Sequence, residues 1–243
     1  SELEEISASD KGSSADLALI SAYLQRNDFD KALKAIDNLE KKQPNDAATY
    51  NLRARTLIAK KDNAGARKSF EKALSVNPAF LPAAVSLAAM DMADKKPDDA
   101  RKRFELILAS DPKNVGALLA LADLRNAVGG KQEEVLGFIT KAVEANPSEY
   151  APRLSLSEFH LRNKDSKAAL AAAQNALAAI PDKPELLDAL GRTQQIAGDS
   201  NQALATYTKL AALQPTSPTA AMRMAEIQLA NKNKEEGAKN FRR

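Results

Sequence analysis

Residues 44–78 read PNDAATYNLRARTLIAKKDNAGARKSFEKALSVNP, a segment that begins and ends with a proline. The same spacing recurs along the chain, with steps of 34, 34, 35, 34 and 34 residues between Pro44, Pro78, Pro112, Pro147, Pro181 and Pro215. A period held this closely over about 170 residues indicates an array of structural repeats. One period has room for two helices of about 14 residues and two short turns.

Small and apolar residues keep a fixed distance from each of these prolines. The positions twelve, eight and five residues before the proline are separated by four and three residues, so they lie on one stripe of a helix. The second helix of each repeat is therefore predicted to bury three sets of residues. These are Ala32, Ala66, Ala100, Val135, Ala169 and Ala203; Ile36, Phe70, Phe104, Ile139, Ala173 and Tyr207; and Leu39, Ala73, Ile107, Ala142, Ala176 and Leu210.

The first helices of five successive repeats have a small residue at one equivalent position. These residues are Ala54, Ala88, Ala122, Ser157 and Gly191. A small side chain is needed where two helix backbones cross closely, because a larger one would push them apart at a cost of roughly 1–3 kcal/mol. Each repeat is therefore predicted to be a helical hairpin.

The period and these recurring positions resemble those of the tetratricopeptide repeat family. Residues 27–33, NDFDKAL, are similar to the family's turn and the start of its second helix. The resemblance covers nearly the whole chain. It implies an all-α fold, a right-handed α-solenoid of helix-turn-helix repeats.

The period also predicts how the chain is divided. Residues 1–12 are interpreted as the tail of a preceding repeat, and residues 13–243 as an array with repeats at 13–46, 47–80, 81–114, 115–149, 150–183, 184–217 and a truncated 218–243. The extra residue of the 35-residue repeat falls near Gly129 and Gly130, so a longer turn is expected there. The last repeat is expected to have one helix at 218–231 and a second from about 234, with Phe241 at its buried aromatic position. Both ends are out of phase with the repeat, which predicts a piece of a longer array.

Composition limits the chemistry that the chain can perform. One histidine, His160, and no cysteine cannot supply a serine or cysteine triad or a zinc site of the usual ligands. Acidic pairs such as Asp98-Asp99 open predicted second helices, where negative charge complements the helix dipole. No glycine-rich phosphate loop follows a strand, because no strand is predicted. We therefore expect a protein that is not an enzyme and that binds no metal or cofactor.

The charge pattern argues against two further classes of partner. The net charge is +3, and basic residues alternate with acidic ones rather than forming a focused stripe with stacking aromatics, so nucleic-acid binding is not expected. The longest apolar stretch, residues 168–180, is rich in alanine and too short to span a bilayer.

The surface that remains for function is the concave face, which in this family is lined by the first helices. Helical spacing along them gives a candidate groove of Asn51, Arg55, Ile58, Val85, Met92, Leu119, Asp123, Asn126, Leu154, Glu158, Asp188, Arg192 and Gln195. Apolar side chains with scattered polar ones suit an extended peptide or a partner helix. In the alternative interpretation, half of these apolar side chains simply pack between neighbouring first helices and contact no ligand. The clamp with which tetratricopeptide co-chaperones hold a terminal carboxylate is absent, since its places carry Ser14, Ala48 and Pro82.

At a finer level, residues 48–53, 96–105 and 114–122 resemble the tetratricopeptide lipoproteins of bacterial exosortase and PEP-CTERM sorting systems. That resemblance implies a lipid-tethered periplasmic or outer-membrane protein of surface-protein sorting or exopolysaccharide production, with a cytoplasmic location as the alternative. Our main hypothesis is a non-catalytic scaffold that binds a peptide or protein segment in the groove. The alternative is a substrate-recruiting or regulatory arm of an enzyme whose catalytic domain lies elsewhere. End-to-end self-association is a third possibility.

Overall fold

The computed structural model describes the backbone of residues 2–9 and 12–241 and the side chains of residues 5–7, 9, 12–232 and 234. Within these residues the chain forms fourteen α-helices and no strand. The helices are α1 Glu2–Ser9, α2 Ser14–Gln25, α3 Phe29–Lys42, α4 Ala47–Ala59, α5 Asn63–Val76, α6 Leu81–Ala93, α7 Pro97–Ser110, α8 Val115–Ala127, α9 Gln132–Ala145, α10 Tyr150–Arg162, α11 Ser166–Ala179, α12 Pro184–Ile196, α13 Ser200–Leu213 and α14 Thr219–Phe241.

The helices form two compact units. The N-terminal unit, Ser1–Gly129, contains α1 to α8, and the C-terminal unit, Gly130–Arg243, contains α9 to α14. In the N-terminal unit each even-numbered helix from α2 to α6 packs against the helix that follows it, and successive hairpins pack through α3 on α4, α5 on α6 and α7 on α8. The C-terminal unit follows the same order from α9 on α10 to α13 on α14.

The core consists of the stripes that the sequence predicts. All three sets of second-helix residues are buried, from Ala32, Ile36 and Leu39 to Ala203, Tyr207 and Leu210. The small first-helix residues are buried as well. At Ala54, Ala88, Ser157 and Gly191 the first helix packs against its second helix, and this close approach holds those four hairpins together.

The turns inside the hairpins share one backbone geometry. Each has three residues, and one of them adopts a positive φ: Asn27, Lys61, Lys95, Lys164 and Gly198. The next residue is the N-cap of the second helix. In four hairpins the N-cap is an aspartate whose side chain accepts a hydrogen bond from a backbone N–H of the first helical turn: Asp28, Asp62, Asp165 and Asp199. The turn at residues 128–131 has a fourth residue, as predicted, and Gly129 has the positive φ.

The last repeat differs from the prediction. A turn was expected before residue 234, but α14 runs without interruption from Thr219 to Phe241. Residues 231–234, NKNK, have an asparagine at the place of the aspartate that caps four other second helices. A continuous helix keeps every residue in the right-handed region. The predicted burial of Phe241 lies outside the described side chains.

Helix α1 is held by a buried polar cluster. The Asp16 side chain on α2 is fully buried and accepts hydrogen bonds from Ser7 Oγ of α1 at 2.7 Å and from Lys42 Nζ of α3 at 2.6 Å. Lys42 Nζ also donates to the Ser7 carbonyl at 2.7 Å. A buried charge needs such partners, so these contacts fix α1 against the first hairpin.

A second buried carboxylate, Asp91 on α6, joins three helices. Arg67 Nη1 of α5 donates to Asp91 Oδ1 at 2.6 Å, and Arg103 of α7 donates to both carboxylate oxygens. The Asp91 side chain is 3% exposed. Burial raises the pKa of Asp91, but the hydrogen bonds from Arg103 and Arg67 outweigh burial and hold the pKa below its ordinary value.

We expect Asp91→Asn to lower the free energy of unfolding by about 3 kcal/mol, because two arginines lose their shared carboxylate. Urea denaturation at pH 7 measures the loss. The pKa of Asp91 is lower in the folded chain, so this stabilisation is present above the unfolded value near 3.8 and is lost as the pH falls further. The control is Glu105→Gln, which removes an exposed pair with Arg101 on the same helix and should cost about 0.5 kcal/mol or less. Equal losses would contradict the prediction.

A second prediction concerns Gly191, where α12 crosses α13. A Cβ atom built at Gly191 would lie 2.5 Å from Cζ of Tyr207, whereas one at Gly137 on α9 meets nothing within 4 Å. Gly191→Ala should therefore destabilise the chain by about 1–3 kcal/mol. Gly137→Ala should stabilise it by about 0.5–1 kcal/mol, since alanine is the better helix former. Thermal unfolding compares the two variants, and a stabilising Gly191→Ala would show that the crossing is not close.

Candidate functional site

The thirteen predicted groove residues all lie on first helices, and none of them is buried. We call the surface that α2, α4, α6 and α8 present the N-terminal face, and the surface of α10, α12 and α14 the C-terminal face. Asn51, Arg55, Ile58, Val85, Met92, Leu119, Asp123 and Asn126 belong to the N-terminal face. Leu154, Glu158, Asp188, Arg192 and Gln195 belong to the C-terminal face.

The N-terminal face exposes large apolar side chains on successive helices. Leu17 on α2, Ile58 on α4 and Val85 on α6 are 46%, 42% and 45% exposed. Leaving such surface in water costs about 25 cal/mol per Å² relative to burying it. Leu17 and Val85 stand at equivalent positions of the period, and Ile58 lies seven residues beyond Asn51, which is their equivalent on α4. Exposed apolar side chains on three neighbouring first helices suit a surface that binds another protein.

Two hollows accompany these side chains. The larger one lies between α2 and α4, has a volume of about 480 Å³, and is lined by Leu17, Ile20, Ser21, Leu24, Asn27, Phe29, Leu52, Arg55, Thr56 and Ala59. We call it the α2–α4 cleft. Its lining contains no carboxylate, and its one charged residue is Arg55. The other hollow, between α4 and α6, has about 390 Å³ and includes Ile58, Ala89 and an ion pair of Arg67 with Asp94 at 2.8 Å.

Helix α4 also presents polar groups without partners. The Asn51 Oδ1 atom is buried and accepts no hydrogen bond from any described residue. Arg55, one turn further along, is exposed and has no ion-pair or hydrogen-bond partner in the part of the chain that the structure describes. The exposed Arg55, an unpaired cation at an apolar cleft, is a group that a bound peptide can satisfy.

The C-terminal face is different, because its charges pair with one another. Arg192 of α12 lies 3.2 Å from Glu158 of α10 and 3.2 Å from Asp188 of its own helix. Arg223 of α14 lies 3.2 Å from the other Asp188 oxygen and 3.6 Å from Glu226. This ion-pair ladder connects three successive first helices.

Tyr207 of α13 lies beneath the ladder. Its side chain is fully buried, and its hydroxyl has no hydrogen-bond partner among the described residues. Burial raises the pKa of Tyr207 to about 12, and the nearby Asp188 adds to the shift, while Arg223 and Arg192 oppose it. The tyrosinate form is therefore strongly disfavoured in the folded chain.

Sequence reasoning missed part of both faces. Arg223 was not a candidate because it lies one position beyond the register of Asp188, on a neighbouring stripe of α14. Leu52 and Thr56 line the cleft from a position beside the predicted stripe of α4. A wider stripe on each first helix would have included these residues.

The described residues contain no group of three or more His, Cys, Asp or Glu side chains placed to hold a metal ion. None of the described helices combines the length and the apolar character needed to cross a membrane.

Comparison with known proteins identifies the repeat. Two family models described as tetratricopeptide repeat match residues 17–82 and residues 57–124. Residues 17–124 therefore match tetratricopeptide repeats. The helical order of the chain is that of an α-solenoid of such repeats, as predicted.

Two solved structures share this fold. A thermophilic tetratricopeptide protein of Thermus thermophilus is similar with a TM-score of 0.55 and 23% identity, over 75% of this chain and 99% of that one. PilW, a widely conserved type IV pilus biogenesis factor, is similar with a TM-score of 0.59 and 18% identity, over 86% of this chain and 97% of that one. These likenesses concern the fold.

One curated relative resembles the chain in sequence. The cellulose synthase operon protein C of Pseudomonas fluorescens strain SBW25 is 29% identical over 186 residues, which is 72% of this chain. The match spans 14% of the length of that relative.

Tyr207 gives a prediction specific to this tetratricopeptide array. Tyr207→Phe should raise the free energy of unfolding by roughly 1 kcal/mol, because it removes a buried hydroxyl that has no partner. Above pH 10 the difference should widen: the unfolded chain ionises this tyrosine near 10.0 and the folded chain near 12, so wild-type stability falls between these values. Denaturation at pH 8 and pH 11 measures both effects. Tyr50→Phe is the control and should destabilise, since Tyr50 donates to the Pro44 carbonyl at 2.9 Å.

Proposed function

We propose that the chain is a non-catalytic scaffold that binds a segment of a partner protein on its N-terminal face, in bacterial exopolysaccharide production. One observation carries the proposal. Successive helices of this face expose Leu17, Ile58 and Val85 beside a cleft whose one charged residue, Arg55, has no partner among the described residues. Such a surface gains free energy by binding an apolar segment with a few polar groups.

The C-terminal face is a weaker candidate for the same role. A ligand there would have to displace Glu158 or Asp188 from Arg192, and broken ion pairs would offset the contacts that it makes. We therefore assign Asn51, Arg55, Ile58, Val85, Met92, Leu119, Asp123 and Asn126 to partner binding. Glu158, Asp188 and Arg192 act between repeats, and Leu154 and Gln195 flank them.

The pathway is proposed from the sequence relative. The name of that relative places it in a cellulose synthase operon. For this chain, the likeness favours exopolysaccharide production over protein sorting. The finer likeness to exosortase-associated lipoproteins, the envelope location and the lipid tether remain predictions. Because the match spans 14% of the relative, a recruiting or regulatory arm of a larger protein is the second candidate.

The proposal is tested by site-specific cross-linking in the cells that produce the protein. A photoreactive phenylalanine derivative at Val85 should cross-link one partner, and mass spectrometry should identify it as a component of polysaccharide synthesis or export. The matched control places the same residue at Leu106 of α7, which is 68% exposed and lies on a second helix. Cross-links from Leu106 alone, or from Val85 only to unrelated proteins, would contradict the proposal.

A further inference from the structure

We propose that the α2–α4 cleft selects a partner segment that carries an acidic side chain beside bulky apolar ones, and that Arg55 binds this carboxylate. The inference rests on the proposed function and specifies the chemistry of the partner. It follows from a comparison of two arginines that occupy the same place in different repeats.

Arg55 and Arg192 are equivalent in the period. Steps of 34, 34, 35 and 34 residues lead from Arg55 to Arg192 through Ala89, Asp123 and Glu158. Both arginines stand on a first helix, α4 and α12. The same steps make Ser21 on α2 the counterpart of Glu158 on α10, and Asn51 the counterpart of Asp188.

The two arginines differ in the carboxylates that lie beside them. Arg192 reaches Glu158 on the preceding first helix and Asp188 one turn earlier on its own helix, each at 3.2 Å. In the N-terminal unit these two places hold Ser21 and Asn51, which are neutral. Arg55 therefore lacks both of the carboxylates that its equivalent Arg192 contacts, and it has no other partner among the described residues.

The rest of the cleft favours a carboxylate that arrives with apolar side chains. No residue that lines the cleft is acidic, and seven of the ten offer apolar groups: Leu17, Ile20, Leu24, Phe29, Leu52, Ala59 and, through its methyl group, Thr56. An arginine at an apolar wall binds a carboxylate more strongly than one in open water, since the local dielectric constant is lower.

The geometry favours an acidic side chain over a chain terminus. Ile58 and Ala59 of α4 border the two hollows of the N-terminal face, Ala59 the cleft and Ile58 the hollow towards α6. A segment that fills both hollows continues past Arg55 in each direction. A basic segment is disfavoured, because it would meet a cation and no carboxylate in the cleft.

The test uses three synthetic peptides with acetylated and amidated ends. The first is a fluorescein-labelled helical peptide of leucine, alanine and glutamate, and the others have glutamine or lysine in place of each glutamate. In fluorescence anisotropy titrations at low salt, the glutamate peptide should bind the full chain about tenfold more tightly than the glutamine peptide, and the lysine peptide should bind least. Equal affinity for the three peptides, or no binding of the glutamate peptide at millimolar concentration, would overturn the proposal.

Variants assign the effect to Arg55. Arg55→Gln should weaken binding of the glutamate peptide about tenfold and leave binding of the glutamine peptide unchanged. The matched control Arg192→Gln, at the equivalent but paired position, should leave the affinity for both peptides unchanged. An equal loss for both peptides in Arg55→Gln would mean that the arginine contributes packing only, and the proposal would fail.

A gain-of-pairing variant tests the same idea in the opposite direction. Ser21→Glu gives Arg55 the carboxylate that Glu158 gives Arg192, so it should raise the melting temperature and weaken binding of the glutamate peptide. Ser21→Gln should do neither. An unchanged affinity in Ser21→Glu would contradict the assignment. If Val85 cross-links to a protein of polysaccharide synthesis but the chain shows no preference for the glutamate peptide, this inference fails and the proposed function stands. If the chain prefers the glutamate peptide but Val85 cross-links only to unrelated proteins, the proposed role in polysaccharide production fails and the acidic preference of the cleft stands.

Discussion

The close approach of two helices within a hairpin is the constraint on which the structure depends. Ala54, Ala88, Ser157 and Gly191 are buried where a first helix packs against its second helix, and the stripe opposite them supplies the larger side chains. At Gly191 the first helix has no Cβ atom, and the Tyr207 ring lies close to it. Each layer is thus filled by residues from only two or three neighbouring helices. One face of each first helix stays outside this core, and we propose that this face binds the partner.

The sequence predicted most of the fold because the relevant information is local and repeated. A buried alanine stripe looks alike in every repeat, so six copies reinforce one interpretation. The positions of the hairpin turns could be predicted for the same reason. The exception is α14, where residues 231–234 lack the glycine or aspartate of the other turns and the helix continues. A period alone does not reveal such a local loss.

The candidate site was less predictable, for a physical reason. Membership of the first-helix faces follows from helical spacing, but the state of a charged side chain depends on what the neighbouring repeat places beside it. Arg55 and Arg192 are indistinguishable by position, yet one is paired to two carboxylates and the other has no partner among the described residues. Comparing residues between successive repeats, rather than along one helix, recovers this difference. The buried Tyr207 hydroxyl without a partner could not have been recognised in this way, because it depends on the packing of three elements.

The ion-pair ladder of the C-terminal face has a consequence for how salt acts on the chain. Its arginines are about one-third exposed, so dissolved ions reach them and screen their attraction to Glu158 and Asp188. The apolar stripes of the hairpins are not weakened in this way, because their packing does not depend on charge. Rising ionic strength therefore weakens the contacts between successive first helices and leaves the hairpin cores intact.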